Sequence, residues 1–293
     1  MIGVDFGGTG IKAGIVVDGR VVRSASSPTP KGVPAETVLD TIARTVLELD
    51  PAPKSVGVAI PGEVDPAGRC WGLPNVPGFK GVELGKGLSD RLRCPVAVEN
   101  DATTAALGEY LYGHGSRYPS FLMITLGTGL GGGLVIGGQL YPGGNGFAGE
   151  IGHINIDPSP TAPLCGCGKR GCLETYTGTA ALIRKFAELG GGAAEEILQI
   201  AEAARAGQPA GIQTFQMMGE ALGRGLANIQ NVLDLNALVF TGGISQSFDL
   251  IEPSIREALR KYSFAEPPAE VPLVVSELGS SAGVVGAAHL TEI

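Results

Sequence analysis

The sequence predicts an α/β protein of two lobes, and three observations carry that prediction. A fifteen-residue glycine-rich hairpin occurs twice without a gap, GTGIKAGIVVDGRVV at 8–22 and GTGLGGGLVIGGQLY at 127–141. Six positions are identical: Gly8, Thr9, Gly10, Gly14, Val16 and Gly19 match Gly127, Thr128, Gly129, Gly133, Val135 and Gly138. Strand-like apolar runs then alternate with helical periodicity in both halves. Finally, 293 residues with 44% hydrophobic content favour two lobes over one.

The elements follow in order. Residues 2–6 and 11–17 read as strands, Asp18-Gly19 as a two-residue hairpin turn, and 20–26 as the returning strand. Apolar positions three and four apart make 35–49 an amphipathic helix, and 55–60 is the next strand. A Pro/Gly loop fills 61–82. LGKGLSDRL then reads as a short helix, PVAVEN as a buried strand, and 102–113 as a helix closed by Gly113. The second half restarts the same pattern at Phe121 and breaks into a loop-rich insert over about 142–175. Helices resume at 178–189, 193–206 and 211–233, the first two separated by the loop Gly190-Gly191-Gly192. The strand 237–240, a helix over 252–262, the strand 273–278 and a helix of small residues over 280–290 complete the chain.

Composition excludes several partners. A net charge of −8 with no basic run argues against nucleic acid and anionic membranes. No apolar run approaches a membrane span, and the amino terminus reads as a strand rather than a leader, so the cytoplasm is the expected compartment. Five cysteines, three of them within eight residues, point to a metal site rather than a disulfide framework. Cys70 and Cys94 stand apart and read as ordinary buried residues.

Four constellations carry chemistry. A Gly-Thr-Gly turn offers bare backbone N–H groups and a hydroxyl, so two of them could grip the phosphates of one nucleotide. Asp5 precedes the first turn on a strand whose other face carries Ile2, Val4 and Phe6. Taken alone it is either a solvated edge residue or a ligand-binding carboxylate; with Gly7, Gly8, Thr9 and Lys12 following, phosphate and Mg²⁺ handling is favoured. Glu99-Asn100-Asp101 ends a strand and opens a helix, where ligands of α/β sheets bind. Asn100 or Asp101 could serve simply as the helix cap, or Asp101 could accept the proton of a hydroxyl during phosphoryl transfer.

The sharpest cluster is Gly149-Glu150-Ile151-Gly152-His153 followed by CGCGKRGCLE at 165–174. Cys165, Cys167, Cys172 and His153 complete a tetrahedral zinc shell with no open position, so the metal would be structural. Glu150 and Glu174 flank these ligands and suit sugar hydroxyls, although both could equally be solvated loop charges. Thr241-Gly242-Gly243 adds a third glycine turn at a strand's carboxyl end.

These residues resemble the ROK family (repressor, open reading frame, kinase), specifically its glucokinase-like sugar kinases. The resemblance spans nearly the whole chain: DFGGTGIK at 5–12, PG at 61–62, LPNVPG at 73–78, ENDATTAALGE at 99–109, LGTGLGGG at 126–133, GEIGH at 149–153, CGCGKRGCLE at 165–174 and TGGIS at 241–245. It implies a two-lobed hexokinase/actin-like fold of ribonuclease-H-like lobes. One lobe would comprise 1–113 with the carboxyl-terminal helix 281–293, the other 114–280. The implied activity is ATP-dependent phosphorylation of a hexose at its 6-hydroxyl, glucose first. Other hexoses, N-acetylhexosamines and a non-enzymatic sugar sensor stand as alternatives.

By the same resemblance, Asp101 would be the general base. Gly62, Asn75, Asn100, Asp101, Glu150, His153 and Glu174 would line the sugar pocket. Asp5, Gly7, Gly8, Thr9, Lys12, Gly127, Thr128 and Gly129 would meet Mg²⁺ and the ATP phosphates, with Gly242 and Gly243 on the adenosine side. His153, Cys165, Cys167 and Cys172 would hold structural Zn²⁺, and the assembly would be a homodimer. Repressor members carry a winged helix ahead of the first turn, whereas the first strand here starts at residue 2. Polyphosphate-using members lack the cysteine cluster, which favours ATP. Thr103 replaces an Asn common among relatives.

Overall fold

The computed structural model describes residues 1–65, 68–73, 76 and 78–292. Its first part runs β1 (Ile2–Phe6), β2 (Gly10–Val17), β3 (Arg20–Pro28), α1 (Ala35–Leu49), β4 (Val56–Ile60), β5 (Glu63–Val64), β6 (Cys70–Gly72), α2 (Leu84–Leu92), β7 (Val96–Asn100) and α3 (Asp101–Tyr112). The remainder runs β8 (Phe121–Leu126), β9 (Leu130–Ile136), β10 (Gln139–Leu140), α4 (Glu174–Thr177), α5 (Thr179–Glu188), α6 (Ile197–Arg205), α7 (Pro209–Leu233), β11 (Ala237–Thr241), α8 (Phe248–Tyr262), α9 (Glu266–Ala269), β12 (Leu273–Val275) and α10 (Ala282–His289).

The duplication seen in the hairpins extends to whole sheets. One sheet has the order β3-β2-β1-β4-β7 and the other β10-β9-β8-β11-β12, which is the same connectivity used twice. In each, a hairpin leads into parallel neighbours: β1 pairs with β4 and β4 with β7, as β8 pairs with β11 and β11 with β12. This is the ribonuclease-H-like arrangement of the hexokinase/actin-like fold. Both hairpin tips adopt the left-handed conformation that a two-residue turn of matching twist requires. Asp18 and Gly19 have φ of 48° and 72°, and Gly137 and Gly138 have 58° and 79°.

In the first unit, one sheet face buries Val4, Phe6, Val58 and Ile60 against the apolar stripe Val38, Leu39, Ile42 and Val46 of α1. Cys70 and Cys94 belong to this core. The opposite face receives α10 at very short range. A Cβ on Gly3 or Gly57 would collide with the backbone of α10, and one on Gly286 with the carbonyl of Thr104 in α3. The small residues of 280–290 therefore serve close approach. The second unit is centred on β8, buried except at Thr125, and β11, buried throughout. There α7 presents Gly219 and Gly223 to Ile251, Ser254 and Ala258 of α8.

The compact units comprise Met1–Ser120, Gly133–Gly149 and Ser276–Ile293 on one side, and Phe121–Gly132 and Glu150–Val275 on the other. They divide the chain differently from the boundaries read at 113 and 281. Residues 133–149 join the first unit because Gly133 lies against Ala102 and Ala106 of α3, while Gly138 N–H donates to the Pro119 carbonyl. Residues from 276 join it because buried Glu109 accepts from Ser276 Oγ at 2.6 Å and Glu277 N at 3.3 Å. Smaller departures are the β5–β6 ladder inside the expected 61–82 loop and the start of α8, four residues before the expected 252 with Pro253 inside it. Among the described residues no helix is long and apolar enough to cross a membrane.

Candidate active site

In the first unit the candidate residues gather at the carboxyl ends of β1, β4 and β7. Asp5 and Lys12 are register partners on β1 and β2, so they share a sheet face. That face is the one under α10, and Gly283 lies over the Asp5 carboxylate. Burial pushes the Asp5 carboxyl above its ordinary range, and the Lys12 ammonium pulls it partly back. The turn itself is tied down: Gly7 N–H donates to Gly10 O at 2.8 Å. Thr29, buried just beyond β3, donates its hydroxyl to Gly7 O at 2.6 Å and its N–H to Thr9 O at 3.2 Å.

Asn100 caps α3, its Oδ1 accepting Ala102 N–H at 2.9 Å and Thr103 N–H at 3.1 Å. The cap and ligand readings of this residue coexist, because its Nδ2 also reaches the Gly62 carbonyl at 3.2 Å and so joins β7 to the loop after β4. Asp101 opens the helix, half-buried, with Oδ1 accepting Ala102 N–H at 2.8 Å. Glu99 is a further, half-buried carboxylate, and desolvation raises it despite its bond from Asn100 N–H. Asp5, Ala59 and Glu99 form one register row across β1, β4 and β7. Thr103 is buried and contributes its N–H to the cap. Asn75 lies outside the described residues.

The second unit repeats the theme with different fastenings. Gly127 N–H donates to Gly129 O at 3.1 Å. Thr179, the first residue of α5, places its hydroxyl at 2.9 Å and its N–H at 3.1 Å from the Gly127 carbonyl. Glu174 Oε2 accepts Leu130 N–H at 3.1 Å. The same carboxylate crowds Gly129, and Gly178 lies against Thr128 O, so neither glycine could carry a side chain without a shift. Gly242, with φ of 93°, packs its backbone on Leu126 at the end of β8. Added Cβ atoms on Gly127 and Gly243 would instead meet nothing within 4 Å, which leaves open space above the turn. A cavity of about 430 Å³ adjoins it, lined by Thr128, Cys165, Glu174, Gly178 and Arg184 among others.

The ligand atoms of His153, Cys165, Cys167 and Cys172 lie within 4.8 Å of one another. Cys165 Sγ to His153 Nδ1 is 3.6 Å and Cys167 Sγ to Cys172 Sγ is 3.7 Å. A tetrahedron with metal–sulfur bonds of about 2.3 Å has edges of about 3.8 Å, so the donor set fits a zinc-sized ion. Burial pushes the Cys165 thiol up and that of Cys172 up to about 12, so thiolates here call for a cation. Cys167 is lowered, chiefly by the Lys169 backbone N–H. The other imidazole nitrogen, Nε2 of His153, lies 3.8 Å from Glu150 Oε2, the placement of a carboxylate that orients a metal-bound histidine. The loop is braced by Tyr176 OH donating to Asp157 Oδ2 at 2.7 Å and by Asn155 Nδ2 donating to Arg170 O at 2.7 Å.

Within the first unit the structure thus collects Asp5, Gly7, Gly8, Thr9, Lys12, Gly62, Asn100 and Asp101 along one sheet edge. Within the second it collects Gly127, Thr128, Gly129, Gly242 and Gly243 at another edge, beside the Cys₃His loop with Glu150 and Glu174. Sequence reasoning missed Thr29 and Thr179, and it placed Glu99 at the end of β7 without giving it a role of its own. No local pattern marks the two threonines, since their partners are carbonyls distant in sequence.

The ROK family pattern matches residues 1–292, and the chain belongs to that family. A glucokinase of Streptomyces coelicolor is 35% identical over 99% of this chain and 96% of its own length. An N-acetyl-D-glucosamine kinase of Pasteurella multocida is 33% identical over 98% of each. The crystal structure of a ROK family glucokinase from Streptomyces griseus in complex with glucose and AMPPNP superposes with a TM-score of 0.85 at 35% identity, covering 99% of this chain and 98% of that one.

Proposed function

We propose that this chain is an ATP-dependent hexose kinase that phosphorylates the 6-hydroxyl, with glucose as the preferred acceptor. The observation that carries this reading is the repeated Gly-Thr-Gly turn at the end of the first strand of both sheets, together with Asp101 at the end of β7. Backbone N–H groups of the turns, the hydroxyls of Thr9 and Thr128, and Lys12 take the phosphate oxygens. Asp5 would hold Mg²⁺ through its half-buried carboxylate. When bound, that ion neutralises charge on the transferring phosphate. Asp101 accepts the hydroxyl proton as the oxygen–phosphorus bond forms. Asn100, held to Gly62, fixes the start of α3 and with it the Asp101 carboxylate.

His153, Cys165, Cys167 and Cys172 would hold Zn²⁺ in a closed, structural shell, and the shaped loop presents Glu150 and Glu174 to sugar hydroxyls. The 3.8 Å approach of Glu150 to His153 Nε2 supports a role for Glu150 in orienting that imidazole. Glu174 accepts Leu130 N–H through Oε2 at 3.1 Å, and its Oε1 lies 3.9 Å from Cys165 Sγ, which ties this carboxylate to the cysteine loop.

A second acceptor class is favoured by one observation, the 33% identity to an N-acetyl-D-glucosamine kinase at nearly the same coverage. A coupled ADP-release assay across glucose, mannose, fructose, allose, N-acetylglucosamine and N-acetylmannosamine decides between them. We expect the highest kcat/KM with glucose. A higher value with an N-acetylhexosamine transfers the assignment to that class, and no ADP release with any sugar leaves a sugar sensor. The homodimer implied by family resemblance is tested by sedimentation equilibrium.

A further inference from the structure

We infer that Thr29 and Thr179 are a matched pair of positioning residues, each fastening backbone carbonyls at one Gly-Thr-Gly turn so that its N–H groups face the nucleotide. The inference rests on the phosphate-gripping reading of the turns proposed above. Neither threonine belongs to the duplicated fifteen residues. One follows β3 and the other opens α5, so the two have reached the same task from unrelated positions.

The geometry works through peptide planarity. In a trans peptide the carbonyl and the following N–H point in opposite directions. Thr29 Oγ1 on Gly7 O, at 2.6 Å, therefore turns the Gly8 N–H away from Thr29, and Thr29 N–H on Thr9 O does the same for Gly10 N–H. In the second unit both the hydroxyl and the N–H of Thr179 converge on Gly127 O, at 2.9 and 3.1 Å, which turns the Thr128 N–H away from α5. Peptides flanked by glycine flip readily because glycine tolerates both signs of φ. An unclamped turn would have to order its donors when the anion arrives, and that ordering lowers affinity. Fastened carbonyls hold the donors in place beforehand.

The test uses the full-length protein with the variants Thr29→Val, Thr179→Val, Thr29→Ser, Thr179→Ser and, for the underlying reading, Thr128→Ala. Valine keeps the shape and removes the hydroxyl, and serine restores it. Affinity for AMPPNP is measured by calorimetry, KM for ATP and for the sugar by steady-state kinetics, and folding by urea denaturation. Each valine variant is expected to weaken AMPPNP binding about three- to tenfold, the worth of one hydrogen bond. The sugar KM should stay within about twofold, and each serine variant should return to wild-type affinity. Wild-type nucleotide affinity in a valine variant, a parallel loss of sugar affinity, or failure of serine to restore binding overturns the inference. An effect confined to one threonine overturns the matched pair. Weakened binding in Thr128→Ala with none in the valine variants removes the clamps alone, whereas no effect in any variant removes the phosphate reading as well.

Discussion

The two glycine hairpins share a sequence pattern, a left-handed tip and a place in the sheet, yet their surroundings differ. The first turn lies on the same sheet edge as Asp101, with Asp5 and Lys12 beside it and a buried threonine beneath. The second is bound to the start of α5 and to Glu174, two residues after the last cysteine of the Cys₃His loop. Duplication has supplied two copies of one backbone device, and divergence has put Asp101 near one and the Cys₃His loop beside the other. Perturbing one unit should therefore change a different kinetic quantity from perturbing the other.

The largest contrast is expected from Asp101→Asn. Loss of a general base should lower kcat by about a thousandfold, while sugar binding stays measurable and metal content is unchanged. Normal turnover in this variant would remove Asp101 from the base role. In the second unit, Cys165→Ser should abolish metal binding, read by elemental analysis, and raise the sugar KM about tenfold or more as the loop bearing Glu150 and Glu174 loses its shape. An unaltered KM in protein shown to be free of zinc would break the link between metal and sugar.

Smaller effects sharpen the comparison within the first unit. Asn100→Ala removes the cap of α3 and the tie to Gly62, and should cost about 1–2 kcal/mol by urea denaturation. A loss within about 0.5 kcal/mol, the usual range for surface substitutions that break no special feature, would make the cap incidental. Asp5→Asn should act in the opposite sense on stability, raising that of the ligand-free protein by about 1 kcal/mol while weakening Mg²⁺-ATP binding. The sign follows from burial. The Asp5 carboxyl is raised above 3.8 in the native state, so the unfolded chain ionises first. Native stability is therefore lost as pH rises from that ordinary value through the raised one. The Asn variant should lack this decline, and an unchanged pH profile would show that Asp5 is solvated.

Much of the fold was legible because local pattern and tertiary demand coincide. The bounds of α1 and α2 match their periodic patterns, and Asp18-Gly19 announces its own turn. The cysteine spacing was legible for the same reason, since metal knuckles are local. What escaped was decided at a distance. Residues 133–149 side with the first unit through contacts of Gly133 and Gly138 that no window of sequence contains. α8 starts at Phe248 rather than at the expected 252, and buried Ile251 and Ile255 carry the helix through Pro253. Thr29 and Thr179 were invisible because an isolated threonine has no pattern, and only the position of a remote carbonyl gives it a task.

The central claim is that Asp101 deprotonates the alcohol receiving a phosphate held by the two turns. It is tested most directly by a crystal structure of this protein with glucose and AMPPNP. The account predicts an Asp101 carboxylate oxygen about 2.6–3.2 Å from the sugar's 6-oxygen, with phosphate oxygens on the backbone N–H groups of both turns. An Asp101 carboxylate remote from every carbohydrate oxygen, or phosphates touching neither turn, would contradict it.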